Sequence, residues 1–175
     1  MRYLRLGAVL LLGAALLPEP GRYWAERELF RVSSALRILV GDPGQVPDRA
    51  RALDWVAATA AGLVEKLPGD ARPLLVAGAA RLVGGQPRQA LVYYRQALER
   101  GERAEITLNI ARARAALGDQ DAARAALIRA LWLTPALVAA LPEPPGGAAS
   151  AEVKRLAAEL AAGRPAAPPA LRWPD

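Results

Sequence analysis

Apolar positions recur at helical spacing in block after block of this chain, and each block is closed by glycine or proline. Between residues 21 and 40, Leu29, Val32, Leu36 and Leu39 fall on one stripe that Phe30 and Ile38 widen, with Glu26, Arg27, Arg31 and Arg37 on the polar face. Gly41-Asp42-Pro43-Gly44 then breaks the chain. Pro47-Asp48 opens a second helix, in which Leu53, Val56, Ala60, Leu63 and Leu67 keep the i, i+3, i+4, i+7 rhythm as far as Pro68-Gly69. A third helix carries Leu74, Ala77, Gly78, Arg81 and Leu82 to the stop at Gly84-Gly85. A fourth starts at Pro87, where a missing N–H costs nothing, and carries Ala90, Tyr94, Ala97 and Leu98 on one face until Gly101. The predicted fold class is all-α.

The third and fourth helices have a second copy. ARPLLVAGAARLVGGQPRQALVYYRQALERGER (residues 71–103) is followed by AEITLNIARARAALGDQDAARAALIRALWLTPA, about 33 residues further on. In register, Gly85 faces Gly118, Ala90 faces Ala123, Ala97-Leu98 faces Ala130-Leu131, and Tyr94 faces Leu127. Small residues at Gly78, Ala90 and Ala97 predict two helices in close approach, with Tyr94 filling the space beyond them. Gly118-Asp119 is the turn of the second copy, and Thr134-Pro135 ends it, because a residue before proline is pushed out of the α region. A period in the low thirties is the signature of a stacked helical solenoid.

The second copy resembles the tetratricopeptide repeat (TPR), with Ala104, Asn109, Gly118, Ala123, Ala130 and Pro135 at that repeat's signature positions. The first copy keeps Ala71, Gly78, Gly85, Ala90, Tyr94 and Ala97 but has Glu102 where the closing proline usually falls. Both lack the large aromatics often found early in the first helix, having Leu74 and Thr107 there. The resemblance implies a TPR-like solenoid of helix pairs and a protein partner, with no chemistry and no cofactor. It also implies that the first helix of each pair lines a partner-binding groove: Arg72, Leu75, Ala79 and Leu82 in residues 71–103, and Glu105, Leu108, Asn109, Arg112 and Ala116 in residues 104–135. Asn109 stands where the family often uses an asparagine to bond the backbone of a bound peptide. The lysines of the family's carboxylate clamp are absent, Leu75 standing where one is expected. Arg72 and Arg112 are then the groups for an acidic segment, or else solvated surface positions.

Flanking regions frame the repeats. Residues 21–67 make a helical hairpin of repeat size without the repeat signature, read as a degenerate N-terminal cap because two repeats alone bury too little surface. The alternative is a juxtamembrane helix lying on the bilayer, for which Tyr23, Trp24 and the arginines are suited. Residues 1–20 hold Arg2 and Arg5, then the apolar run Leu6–Leu17 that includes Leu6, Val9, Leu12 and Leu16. As a helix this run spans about 18 Å, short of a hydrocarbon core of roughly 30 Å. It reads either as a cleaved signal peptide or as a retained signal anchor, and both put the repeats on the far side of the inner membrane, facing the periplasm. Cleavage would leave a soluble periplasmic protein. Beyond Pro135, residues 136–162 are expected to carry an apolar segment, the breaker from Pro142 to Gly147, and a capping helix from Ser150 with Val153, Leu156 and Leu160 as its stripe. Residues 163–175 form a proline-rich, extended tail, in which Trp173 either docks back or hangs free.

Composition narrows the function classes. The hydrophobic content is 53% but the aromatic content only 5%, which suits closely packed helices better than a thick sheet core. Without cysteine or histidine the chain lacks thiolate catalysis, disulfides, the usual general base and the commonest metal ligands. Serines and threonines have no histidine to activate them, so the chain is read as not an enzyme. The charge of +6 comes almost entirely from arginines that alternate with acidic residues, so no nucleic-acid face is expected. What remains is a non-catalytic scaffold or adaptor that binds another envelope protein and assists assembly or maturation of a complex. The alternative is a stoichiometric subunit of an envelope machine for secretion, pili or polysaccharide export. The oligomeric state is open.

Overall fold

The computed structural model describes residues 20–41, 44, 46–140, 146–164, 166–171 and 173. Among them all regular structure is helical: α1 (Pro20–Gly41), α2 (Arg49–Gly62), α3 (Arg72–Val83), α4 (Pro87–Leu98), α5 (Ala104–Ala116), α6 (Gln120–Leu133) and α7 (Gly146–Ala161), with a 3-10 turn at Pro135–Ala140. The all-α expectation holds for these residues. The apolar run with Leu6, Val9, Leu12 and Leu16 lies outside them. Among the described residues, no helix is long and apolar enough to cross a membrane.

Local chemistry sets the boundaries. Asp48 and Asp119 cap α2 and α6 by accepting bonds from the backbone N–H of Arg51 and Ala122, 3.4 and 3.1 Å away. Pro87 opens α4, and Gly85 ends the preceding turn at φ +74°, a conformation that glycine adopts without strain. There the Gln86 N–H bonds the Arg81 carbonyl across the end of α3, at 2.9 Å. The second copy repeats this, with Gly118 at φ +79° and the Asp119 N–H bonding the Arg114 carbonyl at 3.1 Å. Side chains repeat it as well. Arg81 Nη1 donates to Gln86 Oε1 at 2.9 Å, and Arg114 Nη1 donates to Asp119 Oδ2 at 3.1 Å.

Each helix packs on the next in chain order, and connections of three to five residues leave successive helices from α3 to α6 antiparallel. Beyond neighbours, α1 touches α3 and α3 touches α5, whereas α2 and α4, or α4 and α6, do not approach one another closely. Two apolar clusters result. One joins α1, α2 and the Ala77 and Ala80 side of α3; the other joins Ala71, just before α3, and Leu74 of α3 to α4, α5, α6 and α7. α3 therefore sits in both cores. Across them run ion pairs, such as Arg81 to Asp54 between α3 and α2.

The structure differs from the expectations in three places, and it decides between the two readings of the tail. Phe30 and Ile38 do not widen the buried stripe of α1, because α2 and α3 cover only the side holding Leu29, Val32, Leu36 and Leu39. α2 stops at Gly62, and a turn carries Leu63 and Leu67 into the core without further helix. Ser150 does not cap α7, which begins at Gly146, and Leu160 is exposed while Leu156 is buried. The tail docks. Ala166, Leu171 and Trp173 pack on the second cluster, Pro169 accepts a bond from Arg129 Nη1 at 3.3 Å, and Arg95 lies over the Trp173 ring at 5.7 Å. With Arg95 on α4 and Arg129 on α6, the tail bridges two helices that do not meet directly.

Candidate functional site

Because α1, α3 and α5 touch in succession, their outward sides form one continuous face. On it lies a cleft of about 430 Å³ between α1 and α3, lined by Glu26, Leu29, Phe30, Ser33, Arg72, Leu75 and Val76. Helical spacing explains the set: Glu26, Phe30 and Ser33 are three to four residues apart on α1, as are Arg72, Leu75 and Val76 on α3. The floor is apolar and the mouth is charged.

At that mouth Arg72 is already engaged. Its Nη2 meets both Glu26 carboxylate oxygens at 2.9 and 2.8 Å, its Nε donates to Asp70 Oδ2 at 2.8 Å, and its backbone N–H donates to Asp70 Oδ1 at 2.9 Å. Burial raises the Asp70 carboxyl, but the bonds from Arg72 and the charges of Arg72 and Arg103 carry it below its ordinary value. Asp70 in turn raises Arg72, first through their hydrogen bond. Arg72 is thus a tie between α1 and the start of α3, and an acidic ligand would have to compete with Glu26 and Asp70 for it.

The other predicted groove residues distribute along the face. Leu75 is half-buried in the cleft wall, while Ala79 and Leu82 are half-buried with their side chains given to the two cores. On α5, Glu105, Arg112 and Ala116 are exposed, Leu108 packs on the second core, and Asn109 Oδ1 accepts a bond from Arg112 Nη1 at 3.1 Å. Asn109 and Arg112 form one polar unit. Beneath them lies Tyr94, whose phenol is pushed up by burial against the opposing charge of Arg112. The structure brings Arg72 and Leu75 together with α1, and Asn109 with Arg112; the α5 residues do not line the α1/α3 cleft.

Sequence reasoning missed Glu26, Phe30 and Ser33 as groove residues. The signal was their common spacing on α1, but without the repeat signature the first hairpin offered no register that marked α1 as an inner helix. Among the described residues no group of three His, Cys, Asp or Glu side chains stands close enough to hold a metal ion. The cleft offers apolar side chains flanked by a buttressed ion-pair cluster, an arrangement that can hold a short extended or helical segment through its apolar side chains. Compared with known proteins, the chain matches no family model, no curated protein and no solved structure.

Proposed function

We propose that this chain is a TPR-like helical solenoid acting as a non-catalytic adaptor, which binds an apolar segment of another envelope protein along the α1/α3/α5 face. In this reading the first hairpin is a third, unsigned repeat, and the N-terminal apolar run tethers or exports the protein to the periplasmic side of the inner membrane. There it assists assembly or maturation of a complex. The observation that carries the reading is that first helices touch first helices while second helices stay apart, as in a stack that curves around its first helices. Repetition of the Arg81–Gln86 geometry as Arg114–Asp119 adds to it.

The test is photo-crosslinking in the native membrane, with a benzophenone amino acid placed at Phe30, at Leu75 and, on the outside of α4, at Val92. The expected result is one protein captured from both 30 and 75 and not from 92. Absence of any adduct at 30 and 75, or the same pattern at all three positions, overturns the proposal.

A further inference from the structure

The side of α1 turned away from α2 and α3 carries large apolar side chains in the open, and Phe30 stands where that side meets the cleft. Tyr23 is 53% exposed, Trp24 60%, Phe30 72% and Ile38 62%, and no described helix covers them, since α1 packs on α2 and α3 alone. Surface leucines scattered singly need no explanation, but four such residues along one helix face do. Between them stand arginines. Arg27 lies over the Trp24 ring at 5.7 Å, and Arg31 lies over the Trp55 ring of α2 at 5.3 Å. Trp24, Arg27, Phe30 and Arg31 line a shallow depression of about 530 Å³ there. Of the acidic residues of α1, Glu26 is turned to Arg72 across the cleft, while Glu28 also lines the depression and pairs with Arg31 at 2.6 Å, so the net positive charge there comes from Arg27.

We infer that this face of α1 lies on an anionic bilayer surface, with Tyr23, Trp24 and Ile38 entering the interface, Phe30 at its border with the cleft, and Arg27 and Arg31 meeting lipid phosphates. Three physical points select a bilayer over a protein. Arginine stems beside aromatic rings match the layered polarity of the interface, where rings sit at headgroup depth and guanidinium groups reach the phosphates. The net charge of the face is positive, complementary to anionic headgroups. Only Pro18-Glu19 separates the apolar run ending at Leu17 from α1, and the three peptide steps from Leu17 to Pro20 reach at most about 10 Å. This last point rests on the tethered reading proposed above: if that run enters the membrane, Tyr23 and Trp24 are held at its surface. The consequence is orientational. The α1/α3 cleft then opens close to the bilayer, and the partner segment it takes is one presented next to the membrane.

The chain has no cysteine, so a single introduced thiol is unique. Full-length Ile38→Cys and Val92→Cys variants would carry an environment-sensitive fluorophore and be reconstituted with phosphatidylcholine vesicles, with or without phosphatidylglycerol. Both sites are exposed, so labelling leaves the cores intact. The expected result is flotation with the vesicles, a blue shift and bromolipid quenching at position 38 only with phosphatidylglycerol, and a probe in water at 92. Arg27→Gln and Arg31→Gln each lower the bound-to-free ratio of the position-38 probe roughly fivefold. Flotation with the position-38 probe in water overturns this inference and leaves the tether intact, whereas failure to float overturns both. Equal quenching in neutral vesicles, or shielding at 38 without vesicles together with a dimer mass, also overturns it, the latter assigning the face to a second copy.

Discussion

The ring of Tyr94 lies directly on the backbone of Gly78. A Cβ built at position 78 would stand 2.4 Å from Tyr94 Cε1, closer than real side chains approach, and the ring is fully buried with nowhere to turn. One repeat later the equivalent pair is Ala111 and Leu127, where the smaller side chain of one helix leaves room for a methyl on the other. Gly78→Ala gains helix propensity of up to about 1 kcal/mol and loses more to overpacking, for a net destabilisation of roughly 1–2 kcal/mol. Tyr94→Leu alone leaves a void and costs about 2–3 kcal/mol. The double variant imports the second repeat's pair. Its loss is expected to fall short of the two single losses combined by at least about 1 kcal/mol, read from urea unfolding of all four proteins; strict additivity would contradict the contact.

The Tyr94 hydroxyl is buried and has no hydrogen-bond partner among the described residues. Desolvating a phenol without a partner costs free energy, so Tyr94→Phe should leave the denaturation midpoint unchanged or raise stability by up to about 1 kcal/mol. A clear loss on removing only this oxygen would mean that the hydroxyl is bonded in solution.

Acid should loosen the fold in a defined window. Glu102 is held below its ordinary value of 4.5 by hydrogen bonds from Arg129, which tie the α4–α5 connection to α6, and Asp70 lies below its ordinary 3.8. Depressed carboxyl values mean that this stabilisation is complete above the unfolded-state values and is lost as pH falls through the lower folded ones. Thermal midpoints are therefore expected to stay level from neutral pH to about 5.5 and to decline below about 4.5. Glu102→Gln lowers the neutral-pH midpoint, by about 1 kcal/mol or less for so accessible a pair, and shows a shallower acid decline.

Docking of the tail is separately measurable. Trp173→Ala removes the ring under Arg95 and its packing on the second apolar cluster, and should cost about 1–2 kcal/mol, with Arg95→Ala costing less than half of that. Faster amide exchange in α4 and α6 of the Trp173→Ala protein is the accompanying readout. Unaltered exchange there would show that the tail braces nothing.

Much of this architecture was legible because it is local. Pro87, Gly85 and Gly118 act through backbone geometry that depends on a few neighbours, so the α3/α4 and α5/α6 boundaries followed from the chain itself. The close approach at Gly78 was legible for the same reason, since only a missing Cβ admits a ring at that distance. Side-chain pairing was not. Arg72 reads as a free groove cation, yet Glu26 lies across the cleft from it, and no spacing rule links positions so far apart in the chain.

By itself, the sequence determined where α3 to α6 begin and end, which side of each of these is apolar, and that one helix pair is written twice, because capping, periodicity and small-residue spacing are properties of contiguous segments. Only the tertiary structure decided that Phe30 and Ile38 stand in the open, that the tail returns with Trp173 under Arg95 of α4 and Pro169 on Arg129 of α6, and that α1 joins α3 in the cleft. The reason is that burial depends on which neighbour arrives. An amphipathic helix with apolar residues on more than one side can bury only the side its partners reach, and α2 and α3 reach one side of α1.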